Sequence, residues 1–159
     1  MPTTSFSVTA PAVSPEQAWR YLRDYANVPE WAATTLGAEP LEGSDALWVV
    51  RLVRWPADEM TCSRSPDDDA PWTGAPRTVR FDMHNDTGAV RSTEEFHISA
   101  GDQGCVVTYT MRLGMSGWRS RLPCMGAALW VYLRADSAST RVALERRLQE
   151  GRHTDTVSV

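Results

Sequence analysis

The chain has 159 residues, of which 42% are hydrophobic and 23% are charged, and its formal net charge is −4. These values are ordinary for one globular domain, and no basic block favours nucleic acid or an anionic membrane as a partner. No apolar run reaches membrane-spanning length, and the first residues lack the features of a signal peptide. We therefore expect a cytoplasmic protein with a single domain over residues 1–159 and a flexible tail over residues 152–159.

The cysteines and the basic residues restrict the chemistry. Cys62, Cys105 and Cys124 are widely spaced and odd in number. That pattern predicts neither a disulfide framework nor a zinc site, and it fits a reducing compartment. All 16 basic residues are arginine, so no lysine side chain is present for Schiff-base chemistry.

The first elements in chain order are a strand and two short helices. Residues 4–10 alternate apolar and polar side chains, which predicts a strand. The Ser-Pro-Glu-Gln of residues 14–17 predicts a helix start, because Ser and Gln at this spacing form a capping box and proline suits the first turn. A second short helix is predicted over residues 27–31, with Gly37 as its end.

From residue 38 onwards the hydrophobic period changes to two, which predicts β-strands. Strands are predicted over residues 38–41, 47–55, 58–65, 77–84, 90–99 and 105–113, with Pro56 as a break and tight turns at 85–88 and 101–104. Turns of this length join antiparallel neighbours, so the pattern excludes a parallel, doubly wound sheet.

Residues 119–151 are the only run long enough for a major helix, and Gly151 suits its end. Four positions fall close to one face of this helix and Leu148 continues the stripe: Leu129, Leu133, Thr140 and Leu144. Asp136 lies on the same face. A buried carboxyl needs a hydrogen-bond partner or a wet cavity, so Asp136 is a candidate functional residue.

The order of the elements predicts an α+β fold. We expect a curved antiparallel sheet of about six to seven strands wrapped around the long C-terminal helix, with two short helices after the first strand. This order resembles the START/Bet v 1-like (SRPBCC) helix-grip superfamily over nearly the whole chain, as do the motifs at residues 14–19 and 27–31. Within that superfamily, the Met-Thr-Cys-Ser-Arg of residues 60–64 and the hairpin at 77–98 resemble bacterial aromatic-polyketide aromatase/cyclases of the tetracenomycin type.

The resemblance implies aldol cyclisation and dehydration of a poly-β-ketone without a cofactor or metal. The substrate, a hydrophobic or aromatic small molecule, would arrive on an acyl carrier protein and fold in an internal cavity. Arg64 matches the pocket arginine of those cyclases, whose implied role is to anchor or polarise substrate oxygens. Arg64 falls on the same face of its strand as Met60 and Cys62, which favours an inward position, and we then expect Asp136 or Glu94 as its ionic partner. Facing outward, it would be a strand-edge arginine beside the acidic residues 67–69.

Three positions depart from the pattern of those cyclases. Met83 stands where a second arginine is common, Thr35 where a tyrosine follows the second short helix, and Val28 where a tryptophan opens that helix. These departures leave open a non-catalytic protein that binds or sequesters a hydrophobic natural product, for example in self-resistance. Lipid transfer is a third possibility, and both a monomer and a homodimer remain open.

The predicted catalytic residues are Arg64, Asp136 and Tyr109, with Asp136 as a base of raised pKa and Tyr109 as a hydrogen-bond donor to a carbonyl. The predicted ligand-binding residues are Trp31, Met60, Cys62, Phe81, Met83, Ser92, Glu94, Phe96, Met111 and Leu133. Packing in an ordinary core would explain the apolar members of this set equally well. His84 and His97 are expected to point outward, and Trp72 is a candidate lid residue.

Overall fold

The computed structural model describes residues 2–53, 57–122 and 124–150. Within them, one strand and two short helices precede six further strands and a long C-terminal helix, which is the predicted order. The strands are β1 (Thr3–Pro11), β2 (Thr35–Pro40), β3 (Leu47–Leu52), β4 (Glu59–Arg64), β5 (Arg77–His84), β6 (Val90–Gly101) and β7 (Gly104–Met115). The α-helices are α1 (Pro15–Leu22) and α2 (Met125–Glu150), and short 3₁₀ helices cover Tyr25–Glu30, Pro66–Asp69 and Trp118–Arg121.

The strands form one antiparallel sheet in the order β1-β7-β6-β5-β4-β3-β2. Consecutive strands from β2 to β7 are antiparallel neighbours, with a longer segment that contains the Pro66–Asp69 helix between β4 and β5. Strand β1 pairs with β7 along its full length. The sheet curls around α2, which packs most closely on β1, so the α+β helix-grip architecture is confirmed. No described helix is long and apolar enough to cross a membrane.

Local sequence signals account for the first helix. The Ser14 hydroxyl accepts a hydrogen bond from the Gln17 backbone N–H, and the Gln17 side chain accepts one from the Ser14 N–H. This is the predicted capping box, and it satisfies donors that a helix start leaves free. Just before this helix, where the end of β1 pairs with the start of β7, a Cβ on Gly104 would lie 2.2 Å from the Ala10 carbonyl oxygen, so the close contact requires glycine.

The core lies between the concave face of the sheet and the helices. The predicted face of α2 is confirmed, because its buried residues are Leu129, Leu133, Thr140, Leu144 and Leu148. The alternation in β4 is confirmed as well, since its buried residues are Met60, Cys62 and Arg64.

Three predicted boundaries are wrong. The long helix begins at Met125 instead of residue 119, which fits the proline at position 123 of the sequence because proline disfavours α-helix in the residue before it. The second short helix ends at Glu30, and Gly37 instead lies in β2 at a register shift against β3. Strand β3 ends at Leu52, short of the predicted residue 55. The predicted break at Pro56, the helix end at Gly151 and the tail over 152–159 lie outside the described residues.

Candidate functional site

A narrow cavity lies between the concave face of the sheet and helix α2. About 30 Å³ of it is free for water-sized molecules, which corresponds to roughly two waters. Its walls come from the first 3₁₀ helix, the segment that follows it, the six strands β2 to β7, and α2. The lining residues are Tyr25, Ala32, Thr34, Thr35, Leu52, Met60, Met83, Ser92, Glu94, Tyr109, Met111, Leu113, Tyr132, Asp136 and Thr140.

Glu94 is the buried acid on the sheet side of this cavity. It faces inward because β6 alternates, which buries Ser92, Glu94 and Phe96 together. The Tyr25 hydroxyl donates a hydrogen bond to its Oε1 over 3.2 Å. Burial raises the pKa of Glu94 to about 7; hydrogen bonds from Tyr25 and Tyr109 work against this shift, and the charge of Asp136 adds to it. Glu94 is therefore able to hold or release a proton near neutral pH.

Asp136 is the acid on the helix side. It lies three residues after Leu133 and four before Thr140, so it shares the face of α2 that packs on the sheet. Burial raises the pKa of its carboxyl, and a hydrogen bond with Thr34 opposes the shift. The predicted placement of Asp136 on the buried face is thus observed, with the cavity in front of it.

Three tyrosines surround the two acids. Burial, followed by the negative charge of Glu94, raises the pKa of Tyr25 and of Tyr109 well above the ordinary value. Burial and then the charge of Asp136 raise the pKa of Tyr132. All three phenols consequently stay protonated near neutral pH, and each is a potential hydrogen-bond donor.

Four buried polar atoms of the lining have no hydrogen-bond partner among the described residues. They are Ser92 Oγ, Glu94 Oε2, Asp136 Oδ1 and Thr140 Oγ1. Buried polar atoms in folded proteins nearly always have a partner, and an exception indicates an absent water or ligand. The end of the cavity that is lined by Glu94 and Asp136 is therefore polar.

Arg64 faces inward as expected but does not line this cavity. Its Nη2 lies 2.6 Å from Asp69 Oδ1, and its side chain is only 4% exposed. Its Nη1 donates to the backbone carbonyls of Arg23 and Asp45. The expected pairing with Asp136 or Glu94 is wrong, because Arg64 is the last residue of β4 and reaches the end of α1 and the Pro66–Asp69 turn.

The structure brings together seven of the predicted site residues: Met60, Met83, Ser92, Glu94, Tyr109, Met111 and Asp136. The other predicted ligand-binding residues pack in the core instead of lining the cavity: Trp31, Cys62, Phe81, Phe96 and Leu133. Their aromatic members stack edge to face, with ring centroids 5.8 Å apart for Trp31 and Phe96 and 6.2 Å apart for Phe81 and Phe96. All three side chains therefore already have aromatic partners.

Sequence reasoning did not place Tyr25, Thr34, Tyr132 or Thr140 in the site. A signal was present for Tyr132, because it precedes Asp136 by four residues and such pairs share a helix face. Thr34 had no comparable signal, since it lies between elements.

Among the remaining candidates, His84 and His97 are exposed as expected, and Trp72 packs 6.0 Å from Trp19 away from the cavity.

Comparison with known proteins supports the fold and a family. A sequence model of the family described as "Polyketide cyclase / dehydrase and lipid transport" matches residues 1–149. No curated protein matches the chain at the level of sequence.

Several solved structures share the architecture at low sequence identity. The protein XoxI from Bacillus cereus is 13% identical with a TM-score of 0.66, over 96% of this chain and 99% of its own. The di-domain ARO/CYC BexL from the BE-7585A biosynthetic pathway is 16% identical with a TM-score of 0.64, over 92% of this chain and 45% of its own. A START superfamily protein from Mycobacterium smegmatis is 13% identical with a TM-score of 0.61, over 93% of this chain and 96% of its own. Identities this low show a shared fold only.

Proposed function

The chain belongs to the polyketide cyclase/dehydrase and lipid transport family, within the START/Bet v 1-like superfamily, and we propose that it is a cofactor-independent cyclase. The substrate is a poly-β-ketone or a related aromatic natural-product intermediate. The reaction is aldol closure of a ring followed by loss of water. Glu94 and Asp136 are the groups that move the protons.

One observation carries this proposal: two carboxyl groups with raised pKa values face the same cavity, one from the sheet and one from the helix. Aldol closure needs a base for the proton beside a carbonyl and an acid for the carbonyl oxygen that receives the new bond. Both groups work best when their pKa values lie near the working pH. Two acids whose environments differ can take the two roles at once.

The different surroundings of the two acids suggest which role each takes. Asp136 is partly exposed and has the Thr34 hydroxyl beside it, so it loses its proton before the more deeply buried Glu94. The Asp136 carboxylate accepts a proton from the carbon between two carbonyls, and the enolate carbon attacks a ketone carbon. The protonated Glu94 donates its proton to the ketone oxygen, which becomes a hydroxyl.

In the dehydration step the two acids exchange roles, with Glu94 as the base and Asp136 as the acid. After ring closure Asp136 is protonated and Glu94 is ionised. Glu94 accepts the remaining proton of the attacking carbon, and Asp136 gives its proton to the hydroxyl, which leaves as water. Both acids return to their starting states, so the cycle consumes no co-reactant.

The tyrosines supply the charge stabilisation that an arginine would otherwise give. Tyr25 and Tyr109 lie beside Glu94 with protonated hydroxyls, and the Tyr25 hydroxyl donates to Glu94 Oε1 in the structure. In this proposal the hydroxyls turn to donate to the developing oxyanion when substrate is bound. Arg64 then has a structural role in this proposal, since its two terminal nitrogens already bind Asp69 and two carbonyls.

The rest of the cavity fits a ligand that is mostly apolar. Met60, Met83 and Met111 contribute thioether side chains, which adapt to ligand shape through their three rotatable bonds. A polyketide exceeds the free space of about 30 Å³, so binding in this proposal includes movement of these side chains. Delivery by an acyl carrier protein is part of the same proposal.

The test is product analysis with a minimal polyketide synthase that makes a reactive poly-β-ketone. The wild type is expected to shift the mixture from spontaneous products to one cyclised, dehydrated product, detected by mass spectrometry. Asp136→Asn and Glu94→Gln should each lose this shift, whereas Glu95→Gln, one residue along on the opposite face of β6, should keep it. An unchanged mixture with wild type across several chain lengths, or equal activity in all three variants, rules out the proposal.

A second candidate is a non-catalytic protein that binds or sequesters a hydrophobic natural product. One observation favours it: the described lining contains no arginine, lysine or histidine to polarise a carbonyl. This candidate predicts saturable quenching of tryptophan fluorescence by an aromatic polyketide with no change in the products of the synthase. The same samples therefore distinguish the two functions.

A further inference from the structure

The polar end of the cavity has a charge that its own walls do not balance. Glu94 and Asp136 both line it, while the described lining holds no cationic side chain. Arg64, the residue expected from the sequence to pair with one of these acids, is bound to Asp69 instead. Buried carboxylates are stable only when they are paired or protonated, so a cationic guest would be favoured here.

The unpartnered atoms specify what such a guest must offer. Glu94 Oε2 and Asp136 Oδ1 are acceptors once the acids ionise, and Ser92 Oγ and Thr140 Oγ1 accept as well as donate. Glu94, Ser92 and Thr140 are 6%, 3% and 1% exposed, so bulk water does not replace the absent partner. A guest with only carbonyl oxygens leaves both carboxylates unpaired. An ammonium group offers three donors and no acceptor, which matches this set.

The surrounding side chains suit a cation as well. Tyr25, Tyr109 and Tyr132 border the two acids, and aromatic faces attract cations most strongly where water is excluded. The free space of about 30 Å³ accommodates a head group of the size of an ammonium ion. The partly exposed lining residues Thr34, Leu52 and Met111 offer apolar carbon atoms for contact with an attached apolar body.

We propose that this cavity is a binding site for a small organic ammonium ion, a primary amine on an apolar body, held between Glu94 and Asp136. The inference does not depend on the cyclase function. An ammonium ion would hold both acids ionised, so Glu94 would lack the proton that the proposed cyclase reaction requires. An amine of this kind would therefore inhibit the cyclase if that function holds, and it would be the ligand of the cavity if it does not.

Amine binding is coupled to proton release because the ammonium ion favours ionised carboxyl groups. Near pH 6 the Glu94 carboxyl is largely protonated, so amine binding there releases protons and strengthens as pH rises through about 7. The other titratable groups that face the two acids are Tyr25 from the 3₁₀ helix, Cys62 from β4, Tyr109 from β7 and Tyr132 from α2. Burial raises the pKa of each, so all four remain protonated across this range.

The experiment compares benzylamine with benzyl alcohol, its neutral counterpart of the same shape, by isothermal titration calorimetry. We expect benzylamine to bind more tightly by roughly tenfold or more, the size of effect that a hydrogen-bonded charge pair gives. Glu94→Gln and Asp136→Asn should each remove most of this preference, while Glu95→Gln should retain it. In wild type, titrations in two buffers of different ionisation enthalpy should show proton release at pH 6 that vanishes at pH 8.

Two results would overturn the inference: equal affinity for the amine and the alcohol, or no saturable binding of benzylamine at millimolar concentration. A preference that survives in both cavity variants would also overturn it. The proton-release measurement needs no variant, so a folding defect in Glu94→Gln or Asp136→Asn does not affect it. Failure of amine binding leaves the cyclase test untouched, because that test reads products and uses no amine.

Discussion

The hydroxyl of Tyr25 donates to Glu94 Oε1 over 3.2 Å, and this bond joins the first 3₁₀ helix to the middle of the sheet. The same hydroxyl lies 3.2 Å from the Met83 sulfur, so it contacts both β5 and β6 where they line the cavity. Tyr25 also packs edge to face on Phe81, with centroids 4.8 Å apart. One side chain thus shapes the core and sets the electrostatics of the buried acid.

Tyr25→Phe keeps the ring packing and removes the hydrogen bond. Because that bond lowers the pKa of Glu94, we expect its pKa to rise above about 7. The cost in the free energy of unfolding should be about 1 kcal/mol, which is typical for a lost hydrogen bond. Carboxyl carbon shifts followed by NMR across pH measure the pKa. Tyr21→Phe, which loses a bond to surface residue Glu30, is the control and should leave the pKa of Glu94 unchanged.

The pH dependence of stability should report the same carboxyl. Glu94 has a folded pKa of about 7 against an ordinary value of 4.5, so between these values the folded state binds the additional proton. Its contribution is therefore most favourable below pH 4.5 and is lost as pH rises to about 7. Glu94→Gln should remove this loss and be more stable than wild type at pH 8, by up to about 3 kcal/mol. Denaturant unfolding at pH 5 and pH 8 measures the free energy of unfolding of both proteins. If that free energy changes equally between the two pH values in Glu94→Gln and in wild type, the assignment is contradicted.

The cyclase proposal predicts a bell-shaped dependence of rate on pH. The rate should fall above about pH 7, where the Glu94 carboxyl loses the proton it must donate. It should fall on the acid side as Asp136 becomes protonated, at a pH above that of an ordinary aspartate because burial raises the pKa of Asp136. Initial rates of product formation in overlapping buffers give the profile. In Tyr25→Phe the alkaline limb should move to higher pH, and a flat wild-type profile would exclude the acid–base pair.

Arg64→Ala should act on stability more than on the site. The substitution leaves the carbonyls of Arg23 and Asp45 without their donor and separates Asp69 from β4. We expect a loss of about 2–3 kcal/mol in the free energy of unfolding, since bonds from a charged donor are among the stronger ones. Ligand affinity measured well below the unfolding temperature should change less than twofold, a change of about 0.4 kcal/mol. Arg64→Lys, which keeps the charge but not the fork of donors, should recover only part of the stability.

Two glycine substitutions form a matched pair for the fold itself. In Gly104→Ala the new Cβ meets the Ala10 carbonyl oxygen at 2.2 Å, so β1 and β7 must separate and stability should fall by about 1–3 kcal/mol. In Gly126→Ala nothing lies within 4 Å of the new Cβ, and the position is inside α2. Alanine there should stabilise the protein by up to about 0.5 kcal/mol, less than in the middle of a helix because Gly126 is the second residue of α2. Thermal unfolding of both variants tests the opposite signs.

Much of the fold was predictable because its signals are local. The capping box at Ser14 and the alternation in β4 each depend on residues a few positions apart, and both appear in the structure as predicted. The errors fall at boundaries such as Gly37, which was assigned as a helix end but lies in β2. A glycine suits either place, and the structure pairs Gly37 with Arg51 of β3, a partner distant in sequence.

The sequence by itself determined which side of each element is buried, since a period of two or of 3.6 assigns faces without reference to the rest of the chain. It thereby placed Arg64, Glu94 and Asp136 inside. Only the tertiary structure decided what each of them meets: Glu94 and Asp136 face one cavity, and Arg64 reaches Asp69 at the end of the sheet. The physical reason is that periodicity defines direction but not position along the cavity. That position depends on strand register and on where turns bring distant segments, and these arise only when the sheet closes around the helix.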